Sequence, residues 1–247
     1  MFALELWRLD KFIAFSGAAS RREVRLLIKA GRIQVDGCAA GGPEQKIDPQ
    51  TASVYLDGQR ISFSVHVYLM MNKPAGVLSS TEDARDRTVL DLLPETLRKR
   101  GLFPAGRLDK DSEGLLLLTD DGDYCHRVIS PRKNVFKCYE IETMGCPTPE
   151  DCAAVAAGMT LEDGTACRPG RLEILEAGQT ARCRIRISEG KFHQVKRMLA
   201  VLGKPVLSLR RTEIGALHLD ENLKPGAYRE MTAEEAQLAL QTRVSSL

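Results

Sequence analysis

One stretch constrains this chain more than any other. Gly106-Arg107-Leu108-Asp109-Lys110-Asp111-Ser112-Glu113-Gly114 runs straight into Leu115-Leu116-Leu117-Leu118-Thr119. A short apolar run bounded by turn residues predicts a buried strand. The polar loop before it, with a glycine at each end, is then fixed at a strand edge, where a rigid scaffold can hold a charged side chain over a cleft. Asp109, between Arg107 and Lys110, is the residue best placed for this.

A chain of 247 residues has room for one large domain or two smaller ones. The segment Met1-Phe2-Ala3-Leu4-Glu5 has neither the basic region nor the apolar core of a signal peptide. No apolar run is long enough to span a bilayer, so a cytoplasmic protein with no membrane partner is expected. The seven cysteines, Cys38, Cys125, Cys138, Cys146, Cys152, Cys167 and Cys183, are scattered and contain no C-x-x-C pair. They are expected to be reduced core residues, neither zinc ligands nor a disulfide framework. The net charge of +2 says little about partners; its distribution says more.

Residues 6–61 are expected to form a small separate module. Trp7 to Phe15 is weakly amphipathic, and Gly17 to Ser20 is a break. Ser20-Arg21-Arg22-Glu23 has capping-box spacing for a helix running to about Ala30, with Gly31 as its stop. Val24, Leu27 and Ile28 share one face of that helix, and Arg22, Arg25 and Lys29 cluster on the other. Short strands follow at Arg32–Val35 and Val54–Leu56, each ending in an Asp-Gly turn. The pattern resembles the alpha-L RNA-binding module of a small-subunit ribosomal protein. The resemblance turns the basic face from solvated surface into an expected RNA contact.

Ser62 to Val65 reads as a linker, and a second domain is expected over residues 66–240. It opens with a strand through Val67–Met71 and the turn Asn72-Lys73-Pro74-Ala75-Gly76. Thr88-Val89-Leu90-Asp91 caps a helical piece ending near Gly101, and Asp120 is placed to cap a helix through Ile129. Phe136–Ile141 alternates, with Lys137, Tyr139 and Ile141 on one face. Ala181–Ile187 alternates more clearly: Arg182, Arg184 and Arg186 form a row that is either solvated or lies along a polyanion. Val195, Met198, Leu199 and Leu202 make an apolar helical stripe that stops at Gly203, and Thr232-Ala233-Glu234-Glu235 caps a last helix through Leu240. Strands and helices in no regular βαβ rhythm predict an α+β fold, with no nucleotide-binding glycine fingerprint.

Three chemistries compete for the central loop. Asp109, Asp111, Glu113, Gly114 and Asp120 occupy positions 1, 3, 5, 6 and 12 of a calcium loop, but the leucine run and the preceding Phe103-Pro104-Ala105-Gly106 do not suit it. Asp109 with Asp111 or Glu113 could be a glycosidase-like carboxylate pair. Asp109 could also be structural, paired with an arginine.

Gly106-Arg107-Leu108-Asp109 with Ser112-x-Gly114-Leu115-Leu116-Leu117-Leu118-Thr119-Asp120-Asp121-Gly122 resembles the signature of bacterial ribosomal-RNA pseudouridine synthases that carry an alpha-L domain. Asn72-Lys73-Pro74-x-Gly76, Lys137-x-Tyr139 and Glu189-Gly190-Lys191-Phe192-His193-Gln194-Val195-Lys196-Arg197-Met198 resemble its other motifs, in order. The resemblance implies a mixed, mainly antiparallel-sheet catalytic domain behind the RNA-binding module. It implies isomerisation of a uridine in ribosomal RNA, with the base flipped out of the folded RNA. It makes Asp109 the catalytic carboxylate, Tyr139 the base-stacking residue and Arg107 the wedge that fills the vacated stack. Lys196 is the cation for Asp109, since on a helical wheel it flanks the apolar stripe while Arg197 points away and suits phosphate. Lys73 joins Arg107, Arg22, Arg25, Lys29 and Arg197 as an RNA contact. Leu116 and Leu118 are expected as the pocket floor, Asp111 and Glu113 as solvent-facing, and His193 and Gln194 as ordering the loop. The reaction implies no cofactor and no metal. The partner is ribosomal RNA and the chain a monomer; further likenesses favour 16S small-subunit RNA, with a 23S uridine as the alternative.

Overall fold

The computed structural model describes residues 6–16, 18–49, 51–61 and 66–242. Residues 1–5, Gly17 and the linker at Ser62 to Val65 lie outside the described residues. Contacts divide the chain into two units, residues 1–66 and 67–247.

In the first unit a short strand β1 (Trp7–Arg8) leads into α1 (Leu9–Phe15), and α2 (Arg21–Lys29) follows. The capping box forms as its spacing predicts: Ser20 Oγ accepts from the Glu23 N–H, and the Glu23 carboxylate accepts from the Ser20 N–H at 2.8 Å. Strands β2 (Ile33–Val35), β3 (Cys38–Ala39), β4 (Lys46–Ile47), β5 (Val54–Leu56) and β6 (Gln59–Arg60) complete the unit. Four of them form an antiparallel sheet in the order β3-β2-β5-β6, and β1 pairs with β4. Both Asp-Gly turns have positive φ at each residue, 51° and 82° at Asp36-Gly37 and 52° and 76° at Asp57-Gly58. That is the hairpin geometry matching the right-handed twist of the strands. Leu9, Phe12, Ile13, Val24, Ile33, Val35, Ile47 and Val54 form the core.

The second unit is built on one large sheet. Its elements are β7 (Tyr68–Lys73), α3 (Glu95–Arg98), β8 (Phe103–Pro104), β9 (Glu113–Thr119), α4 (Gly122–Ile129), β10 (Lys137–Met144), α5 (Pro149–Ala157), β11 (Arg171–Glu176), β12 (Thr180–Ile187), α6 (Gln194–Val201), β13 (Val206–Ile214), β14 (Leu217–His218), β15 (Tyr228–Glu230) and α7 (Ala233–Leu238). Among the described residues nine strands join in this sheet, with the main order β11-β12-β10-β13-β9-β7-β15; β8 pairs with β9 and β14 with β13. Among the strand pairs of this sheet in the described residues, β13–β9 alone is parallel. The fold is therefore α+β and mainly antiparallel. The leucine run is central: Leu115 and Leu117 pack on one side with Met70 and Ile214, and Leu116 and Leu118 on the other with Leu69 and Met71. A strand covered on both faces reads as a continuous apolar run.

Three local expectations change. The helix after the leucine strand is capped by Asp121, whose side chain accepts from the Tyr124 N–H at 2.9 Å. Asp120 instead accepts from the Val67 N–H at 2.8 Å and pairs with Arg100 at 3.1 Å. Thr88 to Gly101 is not one helix but a 3-10 turn at Val89–Leu92 and the single turn of α3, because Pro94 interrupts the chain between them. The row on β12 is not free for a polyanion. Glu140 and Glu142 on β10 lie opposite Arg184 and Arg182, and Arg182 pairs with Glu176, Arg184 with Glu140 and Arg186 with Glu213. Cross-strand acids neutralise the row.

Candidate active site

The loop between β8 and β9 is held by its backbone. Ser79 Oγ donates to the Leu108 carbonyl at 2.8 Å and accepts from the Leu108 N–H at 3.0 Å. The Gly76 N–H donates to the Lys110 carbonyl at 2.7 Å. Lys73, fully buried, donates its ammonium to the carbonyls of Ser112 (2.7 Å), Pro74 (3.0 Å) and Lys110 (3.3 Å). Arg211 donates Nε to Leu115 at 2.8 Å and Nη1 to Arg107 at 3.4 Å. With carbonyls 107, 108, 110 and 112 all gripped from outside, the loop is pinned from its backbone side while the side chains of Arg107 and Asp109 line the cleft.

Lys73 is thus a correction: three carbonyl acceptors occupy its three protons, and it has no surface to offer RNA. Burial pushes its ammonium down to about 8. Lys137 is a second buried cation, donating to the Val135 and Val128 carbonyls at 2.8 and 3.2 Å, and burial lowers it to about 8 as well. Gly114, with φ 97°, is the position where β9 meets β13; a Cβ there would sit 2.2 Å from the Arg211 carbonyl oxygen.

The Asp109 carboxylate, 30% exposed, lies 3.4 Å from Lys196 Nζ through Oδ2 and 3.4 Å from His193 Nε2 through Oδ1. Lys196 also reaches Asp111 Oδ1 at 2.5 Å, so Asp111 is no bystander: the lysine bridges two carboxylates and takes the shorter contact to the more exposed one. That hydrogen bond holds the Asp111 carboxyl below its ordinary value. The helical-wheel expectation separates the two basic residues as the structure does. Lys196 turns to the loop, whereas Arg197 pairs with Asp163 at 2.5 Å and is not free for phosphate.

Two adjoining clefts meet here. The smaller, about 70 Å³, is lined by Arg107, Asp109, Tyr139, His193 and Lys196 over Leu108, Ile187, Val195 and Leu209. These four residues are its aliphatic lining; Leu116 and Leu118, expected as the floor, line neither cleft and pack in the core from β9. The larger cleft, about 760 Å³, shares Arg107 and Tyr139 and extends past Lys137, Ile129, Pro131 and Arg168. Tyr139, 7% exposed, stands in the wall of both. Among the described residues the Arg107 guanidinium has no hydrogen-bond or ion-pair partner.

His193, expected to order the loop, reaches the Asp109 carboxylate itself. Arg211 was not legible at all: it is 3% exposed, its carbonyl partners are about a hundred residues upstream, and no local pattern marks an arginine for burial. In the first unit Arg22, Arg25 and Lys29 line a groove of about 530 Å³ with Gly41, Gly42, Pro43 and Glu44. Among the described residues no cluster of His, Cys, Asp or Glu could hold a metal ion, and no helix is long and apolar enough to cross a membrane.

Comparison with known proteins meets this geometry. The RNA pseudouridylate synthase family model matches residues 67–201, and the S4 domain model matches residues 7–50. The chain belongs to the RNA pseudouridylate synthase family. An uncharacterised RNA pseudouridine synthase of Bacillus subtilis is 46% identical over 234 residues, 94% of this chain and 97% of that protein. A protein named ribosomal small subunit pseudouridine synthase A, from Salmonella typhimurium, is 42% identical over 230 residues, 92% of this chain and 97% of its own length. A solved pseudouridylate synthase structure superposes with a TM-score of 0.67 at 35% identity, covering 94% of this chain and 99% of the other. In this RNA pseudouridine synthase the S4 domain coincides with the module of α1 and α2, and the synthase match spans Asp109, Tyr139 and Lys196.

Proposed function

We propose that this synthase converts a uridine of 16S small-subunit ribosomal RNA to pseudouridine, acting as a cytoplasmic monomer. Residues 6–61 hold the RNA through Arg22, Arg25 and Lys29, and residues 66–240 carry out the chemistry. The observation that carries the reading is the Asp109 carboxylate, set at 3.4 Å from both Lys196 and His193 and sharing a cleft with Tyr139 and the unpartnered Arg107. The likeness to a protein named for the small subunit favours 16S RNA over 23S.

The isomerisation is internally balanced. The bond from C1′ to N1 breaks, a bond from C1′ to C5 forms, and one proton leaves C5 while one is gained at N1. Neither oxidant nor group donor enters. Asp109 serves it either as nucleophile at C1′ or as base at C2′, the second route passing through a glycal. Tyr139 stacks on the released base, and burial on a central strand fixes its ring. Arg107 enters the vacated stack, for which a planar, uncommitted guanidinium is suited. Lys196 compensates the charge of Asp109 in the ground state and is free to follow it during the reaction.

The test is Asp109→Asn, assayed by mapping pseudouridine in unmodified 16S transcript. Activity is expected to fall on the order of 10⁴-fold with RNA affinity retained. Wild-type product in the variant would remove Asp109 from the chemistry. Product in 23S transcript alone would overturn the small-subunit assignment.

A further inference from the structure

We propose that Phe192 and His193 form a stacking platform for the unpaired base next to the target uridine, which makes Phe192 a substrate-positioning residue of this synthase. The inference rests on the reading of Asp109 as the reacting carboxylate.

Phe192 is 75% exposed, the most exposed of the large apolar side chains among the described residues. A phenyl ring left in water forgoes its burial, and the chain does not hide it in the aliphatic lining of the cleft. Instead the ring lies flat on His193, with centroids 3.8 Å apart and planes within 17°. His193 adopts a left-handed backbone conformation, φ 49° and ψ 32°, at the N-terminal boundary of α6. For a residue with a Cβ this conformation is costly, and such strain gathers where geometry serves function. The same turn places His193 Nε2 3.4 Å from Asp109 Oδ1. One imidazole therefore touches the carboxylate by its edge and the exposed phenyl ring by its face.

The chemistry of the surroundings selects the occupant. Arg107, whose guanidinium is uncommitted, lines the small cleft together with His193; Lys191 lines both clefts but its ammonium is engaged by Glu189 at 3.3 Å and by the Ala166 carbonyl. An exposed aromatic face stacked on His193, a residue that shares a cleft with an uncommitted guanidinium, suits single-stranded nucleic acid: bases stack on the ring while phosphates meet the charge. When the uridine leaves its stack, its neighbour loses a stacking partner on one side. Arg107 supplies a replacement within the stack, and Phe192 offers a second flat surface to whichever neighbour is displaced. The platform is sequence-tolerant, since every base has a π face, so it acts on affinity more than on choice of uridine.

The experiment compares wild type, Phe192→Ala and Phe192→Trp on unmodified 16S and 23S transcripts under single-site kinetics. Which transcript gains pseudouridine judges the substrate assignment; the KM on that transcript judges the platform. Because Phe192 is exposed, its truncation removes no core packing, and unchanged thermal unfolding verifies this. Stacking on one base corresponds to a rise in KM of about 5- to 140-fold for Phe192→Ala, with kcat within about twofold. Phe192→Trp restores KM, and its added indole emission falls when either RNA binds. An unchanged KM in Phe192→Ala overturns the platform. So does a loss confined to kcat, which would assign the ring to the support of His193 and Asp109.

Discussion

Replacing Gly114 by alanine tests how the loop that carries Asp109 is held. Two costs add at this position. The φ of 97° is a conformation that a residue with a Cβ adopts at about 1–3 kcal/mol. The added methyl would also lie 2.2 Å from the Arg211 carbonyl oxygen and 2.9 Å from its nitrogen, both backbone atoms of a central strand. Neither can step aside as a flexible side chain would, so β9 and β13 must part by roughly 1 Å to restore ordinary contact. Their parallel pairing is short, Glu113 with Arg210 and Gly114 with Arg211, and separation stretches the Arg211 bond to Leu115. A hydrogen bond from a charged donor is worth about 1.5–3 kcal/mol. The total loss is roughly 3–6 kcal/mol, or a fall in Tm of about 6–24 °C for a unit of this size. Loss of 1 Å in loop position also costs about 100-fold in turnover. Thermal and urea unfolding are measured beside two controls. Gly203→Ala has positive φ (70°) in open space and isolates the conformational cost; Gly122→Ala has neither burden and should change little. If Gly114→Ala unfolds with Gly203→Ala, the close strand approach does not hold the loop and the reasoning fails.

Further outcomes follow from the same geometry. Lys196→Met is expected to lower kcat about 10²–10³-fold through loss of the cation beside Asp109, whereas Asp111→Asn, on a carboxylate 74% exposed, should change stability by less than about 1 kcal/mol and leave kcat intact. Equal effects of the two variants would place the working contact of Lys196 at Asp111. Lys137 titrates near 8 in the folded chain against an ordinary 10.5, so between these values the unfolded chain binds more protons and folding stability rises with pH. From pH 8 to 10 the gain is about 2–3 kcal/mol relative to Lys137→Met, read by urea unfolding at each pH; parallel curves for the two proteins would refute it. Arg25→Ala should weaken RNA binding and reduce the slope of log affinity against log salt by about one, with kcat at saturating RNA unchanged. A lower kcat with an unaltered salt slope would move Arg25 out of the phosphate-contacting face.

Local chemistry made much of this protein legible. Capping boxes at Ser20 and Thr232, Asp-Gly turns at 36–37 and 57–58, and the apolar stripe of α6 are all written within a few residues, because the partners that satisfy them are a turn or a strand away. The loop before β9 was legible for the same reason, from two glycines, an acid between basic residues and a leucine run that suits a buried strand, whereas the role expected of Asp109 came from the family resemblance. The side of α6 that faces the loop, and hence the choice of Lys196 over Arg197, follows from helical periodicity alone.

What the sequence could not state is which charges would be buried and which acids would answer which bases. Lys73 reads as a surface cation in a turn, yet two of its three carbonyl partners come from the folded loop some 40 residues on. Arg182, Arg184 and Arg186 read as an open row, but sheet register sets Glu140 and Glu142 on the neighbouring strand against two of them, and register is a property of pairing, not of either strand. Asp120 and Asp121 are equivalent in sequence; the approach of Val67 and Arg100 decides which one caps α4. The sequence by itself determined most of the strands and helix caps and the loop that carries Asp109. Tertiary structure alone decided what holds the loop around that acid, because the buried cations Lys73 and Arg211 are bonded to carbonyls of the loop and of β9 that only long-range packing brings within hydrogen-bonding distance.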